Sequence, residues 1–164
     1  MSRTLSSAAR LAMFSQETDK IFLPLLKINH ATLGAPLRFT RNTVQIISKV
    51  EDGSTSQTFL PYPFNLNLPD DTQDSTVKTV QLAIDNIDRS ITAAVRSIAS
   101  AATVTLWIVL ATTPDTIEAG PFTFSLSDVT YDAFTVSGTL TYEDRLQTRV
   151  PGLDFNPFDF PGLF

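Results

Sequence analysis

The chain has 164 residues, enough for one domain whose core buries about two-thirds of the unfolded surface. It contains no cysteine, which excludes disulfides, cysteine-ligated zinc, iron–sulfur clusters and a thiol nucleophile. Twelve Lys and Arg stand against 17 Asp and Glu, net −5, with neither sign gathered in a block, so a nucleic-acid backbone or an anionic lipid surface is not the expected main partner. Charged residues make up only 18% while Ser, Thr, Phe and Pro are common, a balance that fits a β-rich protein covered by neighbours better than a solitary enzyme.

Thr4 to Gln16 places Leu5, Ala8, Ala9 and Ala12 at helical spacing behind a Thr able to cap, which predicts a short N-terminal helix. From Ile21 the period changes to two, with Ile21, Leu23 and Leu25 on one face and Phe22, Leu26 and Ile28 on the other. A strand apolar on both faces is a buried strand. Shorter strands are expected at 37–40 and 44–48, followed by turn chemistry at Asp52-Gly53. Tyr62, Phe64, Leu66 and Leu68 then share one face, but Pro61 and Pro63 remove two ladder donors and send this strand to a sheet edge or end.

A polar linker over 68–75 leads to Val80, Leu82 and Ile84 alternating with Gln81, Ala83 and Asp85, a half-buried strand. The period then returns to helical: Ile91, Val95 and Ile98 fall on one face behind Asp88, predicting a flanking helix over 88–99 entered by the turn Asp85-Asn86. Strands follow at 104–110, 122–126 and 134–142, separated by turn signals at Pro114-Asp115, Gly120-Pro121 and Asp132. The expected fold is mainly β, a β-sandwich or split β-barrel with an N-terminal helix and one flanking helix, over residues 1–150. Residues 151–164 read as an extended Phe- and Pro-rich arm. The longest apolar run, Leu106 to Ala111, is far short of the roughly 20 residues of a membrane-spanning helix. The N-terminus lacks the pattern of a signal peptide, so folding in a cytoplasm is expected.

Catalytic chemistry finds little support. The single histidine, His30, has no carboxylate at dyad or ligand spacing, no Gly-x-Ser-x-Gly elbow occurs, and six scattered glycines make neither a dinucleotide fingerprint nor a phosphate loop. Asp70, Asp71 and Asp74 lack the Gly and Glu of a helix-loop-helix calcium site and read as a solvated loop. Asp85, Asn86 and Asp88 read as a structural helix-cap turn, Asp88 serving the helix N-terminus. No catalytic residue, metal site or cofactor is expected. The strongest constellation is the arm's Phe155, Phe158, Phe160 and Phe164, stiffened by Pro157 and Pro161. Either these rings complete the chain's own core or they insert into a neighbouring subunit. The second is favoured, each buried ring there contributing about 1.5–3 kcal/mol.

The order Gln16-Glu-Thr-Asp19, Leu68-Pro-Asp-Asp71, Leu82-Ala-Ile-Asp-Asn-Ile-Asp-Arg-Ser-Ile91, Glu118-Ala-Gly-Pro-Phe122, Thr135-Val-Ser-Gly-Thr-Leu140 and Phe160-Pro-Gly-Leu-Phe164 resembles an uncharacterised family of phage and prophage tail proteins. Members are typically encoded near the tape-measure protein and a cell-wall peptidase. The resemblance covers nearly the whole chain. It implies a structural virion component: a distal tail or tail-tip baseplate protein with a tail-tube-like fold, in a homo-oligomeric ring, hexameric by analogy. Its implied partners are the tail tube, tape-measure, baseplate hub and tail fibre proteins, with assembly in the host cytoplasm. A mildly acidic ring would let DNA pass without holding it. A trimeric baseplate hub and a carbohydrate- or receptor-binding module of the tail tip are the alternatives.

Overall fold

The computed structural model describes residues 5–67, 79–85, 100–132 and 134–141. They form a helix, α1 (Ser7–Phe14), and the strands β1 (Phe22–Asn29), β2 (Leu37–Thr40), β3 (Ile46–Ser48), β4 (Gln57–Pro61), β5 (Phe64–Asn67), β6 (Thr79–Asp85), β7 (Ala102–Leu110), β8 (Thr113–Tyr131) and β9 (Thr135–Thr141). The strands join in one mixed sheet, in the order β3-β4-β2-β1-β7-β8-β9-β6-β5. All pairs are antiparallel except β2 with β4.

β4 and β5 follow each other in sequence yet stand near opposite ends of that order, so the sheet must curl until its ends meet. Two residues make the join. Tyr62 donates its N–H to Thr40 O of β2 at 3.1 Å, and Pro63 O accepts from Asp85 N of β6 at 3.0 Å. Pro61 and Pro63 carry no N–H to continue a ladder, so the curl stays open along this seam. The architecture is the split, sandwich-like β fold that the strand pattern predicts.

Burial follows from that curl. The enclosed face collects Leu26, Phe39, Phe64, Leu82, Ile84, Val104, Leu126 and Leu140 in the main core, with Phe39 edge-on to Tyr62 at 5.1 Å between centroids. On the reverse face of β1 and β7 a second core holds Leu23, Leu25, Trp107 and Val109 under Phe59 and Val50, with Phe59 and Trp107 edge-to-face at 6.4 Å. β1 is therefore covered on both sides, as its two apolar faces require.

Three elements depart from the sequence expectation. α1 is capped by Ser6, whose side chain accepts from Ala9 N, and its buried residues are Ala9 and Ala12 alone. β4 was not foreseen, because Phe59 is the only residue it buries fully. β8 is one strand of 19 residues rather than a strand at 122–126 behind two turns. Gly120 has φ +110, and pairing with β7 shifts register between Leu106 and Ile108, so Gly120-Pro121 makes a bulge within the strand. A Cβ there would lie 2.8 Å from Leu106 O, a position only glycine fills. The expected linker 68–75, the helix over 88–99 and the arm 151–164 lie outside the described residues.

Candidate assembly surface

The polar clusters are best separated by what each can do. His30 lies on the surface with Nδ1 2.7 Å from Thr32 Oγ1 and Nε2 2.7 Å from Ser100 Oγ, both nitrogens facing hydroxyls rather than a carboxylate. Among the described residues no three His, Asp or Glu side chains converge to hold a metal ion.

Lys27 and Arg38 stand directly opposite each other in the β1–β2 register, an arrangement that repels. Glu51 resolves it. Its Oε2 accepts from Lys27 Nζ at 2.5 Å and from Arg38 Nη2 at 3.2 Å, and its Oε1 accepts from Arg38 Nε at 2.5 Å. Burial pushes the Glu51 carboxyl up, but the hydrogen bonds and charges of Arg38 and Lys27 together hold it below its ordinary value. A carboxylate with both oxygens occupied is a clamp, not a general base. Next to it, Asp52 is exposed, and the Thr55 hydroxyl and N–H together with the Ser54 N–H hold its carboxyl down to about 2. That loop closes on Gly53 at φ +73.

Glu118 is the buried acid of β8, 3% exposed. Its two oxygens accept from Ser6 N at 2.9 Å and Ser6 Oγ at 2.7 Å, while the same Ser6 Oγ accepts from Ala9 N at 3.1 Å. One strand carboxylate thus fixes the first turn of α1 to the sheet, and the negative charge suits the positive end of the helix. Such a clasp is invisible to local sequence reading, since 112 positions separate its partners.

The fixed helix turns large apolar residues outward. Leu11 is 74% exposed, Met13 60% and Phe14 88%. Two further groups are exposed: Val44, Ile47 and Leu60 around β3 and β4, and Tyr131 with Phe134 at the β8–β9 turn. Over the main core a recess of about 350 Å³ is lined by Leu37, Leu82, Leu126 and Val136, with Ser127, Asp128 and Ser137 among its polar neighbours.

Of the residues singled out from sequence, Asp85 ends β6, exposed, with its N–H given to Pro63 and its backbone paired with Thr135. Asn86, Asp88, Phe155, Phe158, Phe160 and Phe164 lie outside the described residues. The outward stripe of α1 was missed. The signal was present in Leu11 and Phe14 at i, i+3, but the small residues Ala9 and Ala12 mark the inward face.

The fold and its surfaces define a curled-sheet β protein whose described charge clusters fasten strands, loop and helix to one another. The chain belongs to the family described as domain of unknown function DUF1833, which matches residues 8–155. Its fold is similar to that of a chain in the virion of a native gene transfer agent (GTA) particle, with a TM-score of 0.64 and 15% identity over 93% of this chain and 50% of that one. This chain therefore spans half the length of that structural relative. No curated protein matches it.

Proposed function

We propose that this protein is a structural component of a phage-like virion, and more narrowly a distal tail or tail-tip ring protein that joins the tail tube to the baseplate hub and fibres. The observation that carries the reading is the likeness over 93% of the chain to a chain of a GTA virion. The surface supports it independently. Three exposed apolar groups, on α1, around β3 and β4 and at the β8–β9 turn, are a liability for a free monomer and an asset for a subunit flanked on several sides. In this reading the chain forms a homo-oligomeric ring, six-fold by analogy, contacts the tail tube, tape-measure and hub proteins, and resides at the tail tip after assembly in the host cytoplasm. The alternative of a sugar-binding module loses its best side chain, because Trp107 is buried against Phe59.

The test is the mass of the full-length protein by light scattering, alone and mixed with the tail proteins encoded beside it. A closed multiple of 18.0 kDa, or a complex formed on mixing, is the expected result. A persistent monomer that binds none of them overturns the reading.

A further inference from the structure

α1 is amphipathic in the opposite sense to most surface helices. Its inward face is two alanines, whereas Ser7, Arg10, Leu11 and Phe14, at i, i+3, i+4 and i+7, share its outward side. The Glu118 clasp holds the N-terminal turn, so the stripe sits on a fixed platform rather than a fraying end. Arg10 is the sole charge of the helix. Among the described residues nothing covers Leu11 or Phe14.

The C-terminal arm complements this stripe in both respects. Residues 151–164 carry four Phe, with Asp154 and Asp159 and no Lys or Arg. In an extended chain Phe158 and Phe160 lie on one side, about 6–7 Å apart. Leu11 and Phe14, three apart on a helix, have Cβ atoms about 5–6 Å apart. The arm's fourteen residues, reaching roughly 45 Å when extended, are several times longer than the stripe.

Resting on the oligomeric reading above, we propose that the outward face of α1 is the docking site for the C-terminal arm of a second copy of this chain. Leu11 and Phe14 receive the Phe158 and Phe160 rings, and Arg10 pairs with the arm's aspartates. Each subunit thus gives an arm to one neighbour and receives one from another, a head-to-tail contact of the kind that closes rings.

The absence of cysteine in the chain makes the test clean. Full-length Leu11→Cys and full-length Phe158→Cys proteins are mixed and oxidised, with Gln81→Cys, at an exposed position of β6, replacing Leu11→Cys as the control. The expected product is a heterodisulfide of twice the 18.0 kDa chain mass, formed with Leu11→Cys and not with Gln81→Cys. Arg10→Glu lowers its yield severalfold, and Asp154→Arg with Asp159→Arg in the partner restores it. A third protein carrying both Leu11→Cys and Phe158→Cys is oxidised alone, and a disulfide that forms only within its own chain overturns the proposal by placing the arm on its own helix. Equal capture by Gln81→Cys, or none at either site, also overturns it. The wild-type mass then separates the two failures: an oligomer without this cross-link keeps the ring reading and discards the docking site, whereas a monomer discards self-docking and leaves the virion role to the mixing experiment.

Discussion

Replacing Glu51 with Gln tests how the β1–β2 pair tolerates two opposed cations. The wild-type carboxylate accepts three N–H bonds from Lys27 and Arg38, and all three side chains are between 10% and 23% exposed. Hydrogen bonds to a charged group contribute about 1.5–3 kcal/mol each. Gln keeps one acceptor, loses the charge and turns an amide NH₂ toward a cation, so about two of the three bonds are lost. Relief of the desolvation that burial imposes on the carboxylate offsets part of this, leaving a net loss of about 2–3 kcal/mol. With a urea slope of about 2 kcal/mol per M the midpoint falls by about 1–1.5 M. A cycle pairing this substitution with Arg38→Met should show coupling of at least about 1 kcal/mol. The pH dependence has a fixed sign. Because the folded-state pKa of Glu51 lies below its ordinary 4.5, its contribution is complete above pH 4.5 and disappears as pH falls through the folded value. Asp52 adds its own acid-side loss between 3.8 and about 2, so the quantity to compare is the wild-type minus variant difference. A midpoint change under about 0.2 M, additive single substitutions, or a difference that grows on acidification would refute the clamp.

Four further outcomes follow from particular atoms. Thr40 Oγ1 is buried without a hydrogen-bond partner beside the second core, so Thr40→Val should stabilise by about 1–2 kcal/mol, seen as a higher melting temperature. Gly120→Ala places a methyl 2.8 Å from Leu106 O at φ +110 and should destabilise by at least about 2 kcal/mol in urea. Ser6→Ala removes the cap and takes the donor from Glu118 Oε1, while the backbone N–H of residue 6 still reaches Oε2. A loss of about 1–2 kcal/mol is expected, with α1 amides exchanging faster while β7 amides are unchanged. Ending the chain after Val150 should keep the β sheet, by far-UV circular dichroism, and abolish assembly by light scattering; unfolding would instead assign the arm to its own core.

Legibility from sequence tracked how local each cause is. β1 was plain because both its faces repeat at period two, and β6 because Val80, Leu82 and Ile84 alternate with the polar or small residues Gln81, Ala83 and Asp85. The prolines at 61 and 63 correctly sent the strand that follows, β5, to an end of the sheet. They did not reveal that Tyr62 and Pro63 form a seam between the two ends of one sheet, which depends on β2 and β6. Gly120-Pro121 was misread because the dipeptide serves a turn and a bulge equally, and only the pairing with β7 selects between them. The Glu118 clasp, with 112 positions between partners, and the Glu51 clamp, with 24 and 13, leave no local trace. The outward α1 stripe was legible in principle, but two alanines beside two large residues do not announce which side faces water.

The double-sided burial of β1 also sets a timetable for the ribosome. Leu25 pairs with Trp107, roughly 80 residues later in synthesis, and at about 5–20 residues per second that partner arrives some 4–16 s after β1 has emerged. For those seconds Leu23, Leu25, Leu26 and Ile28 lack the one strand that pairs with β1 along its whole length. The rate at which β7 is translated should therefore affect how much of the chain folds and how much is lost to aggregates. Slowing translation between residues 30 and 100 should lower the soluble yield without changing the melting temperature of the protein that survives.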